Sequence, residues 1–99
     1  MFRHVVMFRW NEGTSDDDVA AMAAALSELP SQIPELRSYH HGPDAGVNDG
    51  NWDYVVVADC DSVDDYLVYR DHPAHQRAIT ERIAPIRKER AAVQYEVGG

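Results

Sequence analysis

The stretch Phe2-Arg3-His4-Val5-Val6-Met7-Phe8-Arg9-Trp10 decides the fold of this 99-residue chain. Because side chains alternate along a strand, its even-numbered residues share one face, and Val5 and Met7 lie on the other. Both faces therefore carry bulky apolar side chains that need cover. Helices of the same chain can cover one face. The apolar face that remains predicts self-association with a second copy.

The remaining segments extend this strand into a ferredoxin-like order of elements. The patterns predict a helix that starts at Thr14 or Ser15 and ends at Pro30 and Pro34, strands over 35–41 and 52–60, a helix over 63–70, a helix that begins at Pro73 and continues through Ile86, and a strand over 91–97. Pro85 lies inside the last helix and should kink or split it. The order is β-α-β-β-α-(α)-β, an α+β fold with a four-stranded antiparallel sheet. We expect residues 1–99 to form one domain.

The net charge of the chain limits the classes of partner that it can bind. Seventeen acidic residues against nine basic ones give a formal net charge of −8, which repels phosphate backbones and anionic lipid headgroups. We therefore expect no nucleic acid and no membrane among its partners. The apolar opening is interrupted by Arg3 and His4, so it is neither a signal-peptide core nor a membrane span. The single cysteine, Cys60, excludes an intrachain disulfide and favours a cytoplasmic location.

The residues that could carry chemistry gather at one corner, Tyr69-Arg70-Asp71-His72-Pro73-Ala74-His75. Pro73 disfavours a helical conformation at His72, so the chain changes direction here and can aim Tyr69 and His75 into one cleft. Near the start of the new helix, unpaired N–H groups and the helix dipole disfavour a positive charge on His75. A neutral imidazole suits a general base, and a neighbouring tyrosine can donate a hydrogen bond to an enolate oxygen. The alternative is that these are ordinary, partly buried polar residues.

With its opening strand and this corner, the chain resembles the stress-responsive dimeric A/B barrel (Dabb) family. The resemblance covers essentially the whole chain and implies a ferredoxin-like monomer whose homodimer closes a dimeric α/β barrel. The same segments are similar to a plant polyketide cyclase of the family, which closes a linear thioester by an intramolecular aldol condensation. That similarity implies catalytic roles for His75, Tyr69 and His4. Arg70 and Asp71 depart from the cyclase pattern, which is aliphatic at these positions.

Three functions follow as hypotheses. The first is an enzyme without cofactor or metal, an acid–base catalyst on a small carbonyl or polyketide-like substrate. In it His75 is the base, Tyr69 orients the base or binds the oxyanion, and His4 completes the polar end of the pocket. The second is a non-catalytic homodimer that binds a small ligand or serves a stress-related role. The third, a haem or oxygen enzyme, is supported by analogy of fold alone.

The remaining motifs favour structural roles. His40-His41 and the pair His72 and His75 lack a closed set of metal ligands at convincing spacing, so we predict surface histidines rather than a metal site. Four basic residues fall late in the predicted last helix, where positive charge suits the helix dipole: Arg82, Arg87, Lys88 and Arg90. We interpret them as a solvated face.

Overall fold

The computed structural model describes residues 1–98. Its elements are, in order, β1 (Phe2–Trp10), α1 (Asp16–Ser27), α2 (Leu29–Gln32), β2 (Ser38–Pro43), β3 (Tyr54–Cys60), α3 (Val63–Asp71), α4 (Pro73–Ala78), a π-helical turn (Ile79–Ile83) and β4 (Arg87–Glu96). The four strands form one antiparallel sheet in the order β2-β3-β1-β4. The α+β class and the ferredoxin-like order predicted from the sequence are confirmed.

Strand β1 lies between β3 and β4 and sets the two faces of the sheet. Val6 pairs with Val56 of β3 and with Ala92 of β4, and directly opposed residues of antiparallel strands point to the same side. The even-numbered side chains of β1 therefore share a face with the even-numbered side chains of β3 and, from Arg90 onward, of β4. A register shift before Trp10 brings Arg87 to this face as well. Tyr39 and His41 of β2 lie on that face too. The helices cover this even-numbered face, and the hydrophobic core lies between the two layers.

Local signals explain why the helices begin where they do. Ser15 accepts a hydrogen bond from the backbone N–H of Asp18, and Ser62 accepts one from that of Asp65. The largest fully buried side chains of the core are Met22, Leu26, Ile33 and Cys60. Full burial of an aliphatic side chain contributes roughly 1.5–3 kcal/mol, so these contacts hold the helices against the sheet. None of the helices described is long and apolar enough to cross a membrane.

Several boundaries differ from the prediction. Strand β2 runs over Ser38–Pro43 rather than over 35–41, because a hydrogen-bonded turn occupies the residues before it. Pro30 lies in the first turn of α2, where its missing N–H is tolerated, instead of ending the helical segment. Strand β3 begins at Tyr54 rather than at 52.

The largest difference lies at the start of β4. This strand begins at Arg87 instead of the predicted Ala91. Arg87, Lys88 and Arg90 are therefore strand residues, and their assignment to a helical face was wrong. Pro85 ends the helical segment, and the chain then pairs at once with the end of β1. Charged side chains suit an edge strand, where they discourage pairing with further strands.

The opposite, odd-numbered face of the sheet is left uncovered by the described part of the chain. On β4 it carries two exposed apolar residues, Val93 at 65% and Tyr95 at 46%. On β1 and β3 it carries an ion pair in which Arg3 Nε and Nη2 donate to the two carboxylate oxygens of Asp59 at 2.8 and 2.9 Å. An uncovered face with apolar side chains favours pairing with a second copy.

The open apolar face predicts that the protein forms a homodimer through it. Sedimentation at micromolar concentration should give about twice the 11.1 kDa chain mass. Val93→Asp places a charge on the face and should shift the mass toward that of the monomer, because an unpaired charge is costly to bury.

The matched control for this experiment is Val63→Asp. Val63 is also exposed, at 49%, but it begins α3 on the helix side of the sheet, where an aspartate suits the helix N-terminus. This variant should stay dimeric. A monomeric wild-type protein, or equal loss of the dimer in both variants, would contradict the open face as the interface.

Candidate functional site

A cavity of about 140 Å³ lies between the even-numbered face of the sheet and the helices. Six apolar side chains from the sheet, α1 and the π-helical turn line it: Val6, Phe8, Leu26, Val56, Ile79 and Ile83. Its uncharged polar lining consists of His4, Tyr39, Tyr66, Tyr69 and His75. The three residues singled out from the sequence, His4, Tyr69 and His75, are thus brought together around one cavity.

The turn between α3 and α4 positions His75. His72 caps α4 by accepting a hydrogen bond from the backbone N–H of Ala74 at 3.0 Å, and Pro73 is the first helical residue. His75 Nδ1 lies 2.9 Å from the carbonyl oxygen of Arg70. Because a carbonyl only accepts, Nδ1 carries the proton, and Nε2 of the neutral ring keeps its lone pair. This tautomer is the one that a general base at the cavity needs.

Burial lowers the pKa of His75, so the neutral imidazole prevails at pH 7. The carbonyls of Arg70 and Tyr69 oppose this shift by accepting from the ring, and the positive charge of Arg90 reinforces it. The direction of the pKa shift agrees with the prediction from the sequence. Its main cause is loss of solvent rather than the helix dipole.

Tyr69 packs against His75 and approaches a second tyrosine. The rings of Tyr69 and His75 are stacked, with centroids 4.1 Å apart and planes inclined by 25°. The Tyr69 hydroxyl lies 3.5 Å from that of Tyr39. Burial raises the pKa of Tyr39 to about 12 and also raises the pKa of Tyr69. Both phenols stay protonated at neutral pH, so either can donate a hydrogen bond to a developing oxyanion.

His4 lies in the middle of β1 and is only 4% exposed. Gln94, its partner in β4, donates from Nε2 to His4 Nδ1 and to the Tyr66 hydroxyl, each at 3.0 Å. Since Nδ1 accepts, the proton of the neutral ring lies on Nε2. Burial lowers the pKa of His4 to about 4, and the positive charge of Arg90 adds a smaller effect in the same direction. His4 is therefore a neutral hydrogen-bond donor rather than a second base.

Sequence reasoning missed the residues of β4 that reach the site. Arg87 and Arg90 line the cavity, and Gln94 holds the His4 ring. The pairing of the first and last strands could have revealed them, because Gln94 falls opposite His4 and Arg90 opposite Phe8. Arg87 and Arg90 were missed because the last helix was extended too far, whereas Gln94 already lay in the strand predicted over 91–97. The other polar lining residues that were missed are Tyr39 and Tyr66.

The remaining histidines of the even-numbered face and of the corner are engaged by neighbours. His41 Nδ1 lies 2.6 Å from the Tyr54 hydroxyl, and its Nε2 lies 2.9 Å from Ser27 Oγ. His72 Nδ1 is occupied by the cap of α4. Within residues 1–98, no group of three or more histidine, cysteine or acidic side chains could hold a metal ion.

The chain matches a known protein family and is similar to several solved structures. Residues 2–97 match the family model of the Stress responsive A/B Barrel Domain, Dabb. A dimeric ferredoxin-like protein of unknown function from Thermobifida fusca YX is 45% identical, with 97% of this chain and 90% of that chain covered and a TM-score of 0.90. A dimeric protein of unknown function with a ferredoxin-like fold, from Bacteroides fragilis NCTC 9343, is 27% identical, with 97% and 95% covered and a TM-score of 0.82. These dimeric relatives support a homodimer.

A named enzyme also shares the fold. The hydroxynitrile lyase of Passiflora edulis is 20% identical, with 98% of this chain and 93% of that chain covered and a TM-score of 0.85. At that identity the likeness shows a shared fold alone.

The depressed pKa of His4 predicts that the fold loses stability on acidification. The folded state binds a proton at His4 more weakly than the unfolded state does, so stability falls as the pH drops from 6.5 toward about 4. Between pH 7 and pH 5, His4 alone should remove about 2 kcal/mol from the free energy of unfolding. Urea denaturation at a series of pH values measures this slope.

Two variants test the assignment of the slope to His4. His4→Gln removes the group that contributes most and should reduce the slope of the pH dependence, whatever it does to the stability at pH 7; the lowered pKa of His75 accounts for part of the remaining slope. His40→Gln changes an exposed histidine of β2 and should retain the wild-type slope. A slope that is unchanged in His4→Gln would show that the buried ring is not its source.

Proposed function

The chain belongs to the stress-responsive A/B barrel domain family, and on that premise we propose that it is an acid–base enzyme acting on a small carbonyl compound. The proposal includes a homodimer whose two sheets close a barrel, and it requires no cofactor. The hydrogen bond from His75 Nδ1 to the Arg70 carbonyl supports it best. That bond leaves Nε2 free to take a proton from a molecule in the cavity.

In the proposed reaction, His75 removes a proton from the carbon beside the substrate carbonyl. The C–H electron pair forms the carbon–carbon double bond of an enolate, and the carbonyl π pair moves onto oxygen. Tyr69, Tyr39 or His4 donates a hydrogen bond to that oxygen, since all three carry a proton in their neutral forms. The enolate carbon then bonds to a second carbonyl carbon, whose oxygen takes the proton back from the imidazolium. The same groups, run in reverse, cleave the bond.

The size of the cavity favours a small substrate. Its volume of about 140 Å³ is close to the roughly 150 Å³ that accommodates benzene in an engineered protein core. Arg70, which lines the cavity, is charged where an alkyl tail needs apolar contacts. We therefore propose a carbonyl compound of about six to eight non-hydrogen atoms. Aldol closure of a longer, polyketide-like chain needs room beyond this cavity.

Proton exchange from a neutral ketone tests the base directly. Cyclohexanone in deuterated water has the size of the cavity, and ¹H NMR follows the loss of its protons beside the carbonyl. The wild-type protein should accelerate this exchange, and His75→Gln should lose roughly 10²–10⁴-fold in rate. Tyr69→Phe should lose less, because it removes one hydrogen bond and keeps the stacked ring. The rate should rise with pH and level off by neutral pH, because the base must be neutral and burial lowers its pKa.

The same substitution at an exposed histidine provides the control. His40→Gln lies outside the cavity and should exchange protons at the wild-type rate, while circular dichroism and sedimentation check that His75→Gln is folded. If the wild type exchanges these protons no faster than His75→Gln does, the proposed enzyme function is wrong. A non-catalytic homodimer that binds a small ligand would then be the better description.

A further inference from the structure

The charges around the cavity are opposite in sign to the charge of the chain as a whole. The chain has 17 acidic and 9 basic residues, yet three of the basic ones, Arg70, Arg87 and Arg90, line this cavity. Among the described residues, no aspartate or glutamate lines it. A cleft lined by charges of one sign concentrates ions of the opposite sign. In this acidic protein the cavity is therefore a local attractor of anions.

Two of these arginines have no acidic partner within residues 1–98. Arg70 forms an exposed ion pair with Asp71, with Nε 2.9 Å from Oδ1. Arg87 and Arg90 are exposed, and neither forms an ion pair with any residue in the described range 1–98. A guanidinium group without an internal partner is free to bind a carboxylate from solution through two parallel hydrogen bonds.

The register of the sheet places Arg90 beside the proposed base. Arg90 lies opposite Phe8 in the pairing of β4 with β1, on the face that carries His4. Its positive charge contributes to lowering the pKa of both His4 and His75, an effect that weakens with distance. Arg90, His4 and His75 line the same cavity of about 140 Å³, so a single small molecule can span the guanidinium and the base.

We propose that the substrate is a small oxo acid, whose carboxylate is held by Arg87 and Arg90 at the cavity mouth while its carbonyl lies against His75. This inference rests on the proposed function and adds the class of substrate to it. The carboxylate and the carbonyl stand at the two ends of one molecule of the size that the cavity admits. Charge-assisted hydrogen bonds at one end orient the reacting carbon at the other.

Two compounds of nearly equal size, one charged and one neutral, separate the effect of ligand charge on binding from that of ligand shape. Levulinate is a small oxo acid, and levulinamide is its neutral amide of nearly equal size. Isothermal titration of the wild-type protein at low ionic strength should give levulinate a Kd about tenfold or more below that of levulinamide. Added salt should reduce the preference. The double variant Arg87→Gln/Arg90→Gln should lose the preference and keep the binding of levulinamide.

A second double variant controls for net charge. Arg82→Gln/Lys88→Gln removes the same number of positive charges at residues that do not line the cavity, so it should retain the wild-type preference. Equal binding of the two compounds by the wild type would overturn the inference. The inference would also be overturned if neither compound binds the wild-type protein, or if both double variants lose the preference to the same extent.

These outcomes are distinct from failure of the acid–base function. Exchange of cyclohexanone protons needs no carboxylate. A protein that catalyses this exchange through His75 but binds levulinate and levulinamide equally would keep its function and lose the oxo-acid class. If the protein prefers levulinate but shows no proton exchange that depends on His75, anion binding by the two arginines is supported and the proposed acid–base function is wrong.

Discussion

The pairing of β1 with both β3 and β4 is the constraint on which the rest of the structure depends. Alternation puts His4, Val6 and Phe8 on the helix side, and a slip of one residue would exchange them for the odd-numbered side chains, Val5 among them. Opposed residues of antiparallel strands share a face. This one strand therefore determines which residues of its neighbours meet the cavity, and the core and the site are two results of a single register.

The site divides the roles of proton acceptor and proton donor among neutral groups. His75 donates from Nδ1 to a carbonyl and is left with a lone pair at Nε2, whereas His4 accepts at Nδ1 from Gln94 and is left with a proton at Nε2. The two imidazoles thus carry their proton on different ring nitrogens, because Nδ1 faces an acceptor in His75 and a donor in His4. Burial keeps both neutral and keeps Tyr39 and Tyr69 protonated. The positive charge at the cavity is then supplied by arginines.

Much of the fold was predictable because its signals are local. Apolar alternation marked β1 and β3, and strand parity together with the corner at Pro73 brought His4, Tyr69 and His75 toward one cavity. The start of β4 was not predictable in this way, because Arg87–Arg90 has no apolar alternation and resembles the charged end of a helix. Only its hydrogen bonds to β1 make it a strand. The tautomers of the histidines escaped prediction for the same reason, since they depend on partners elsewhere in the fold.

The hydrogen bond between Gln94 and His4 joins residues 90 positions apart and so ties the two ends of the chain together. Contacts of such separation carry a large loop-closure entropy and slow the folding of the chains that depend on them. During synthesis, the first strand emerges long before its histidine can meet this partner. A nascent or C-terminally cleaved chain without β4 therefore lacks the hydrogen bond from Gln94 that holds the His4 ring, and it lacks Arg87 and Arg90 at the cavity.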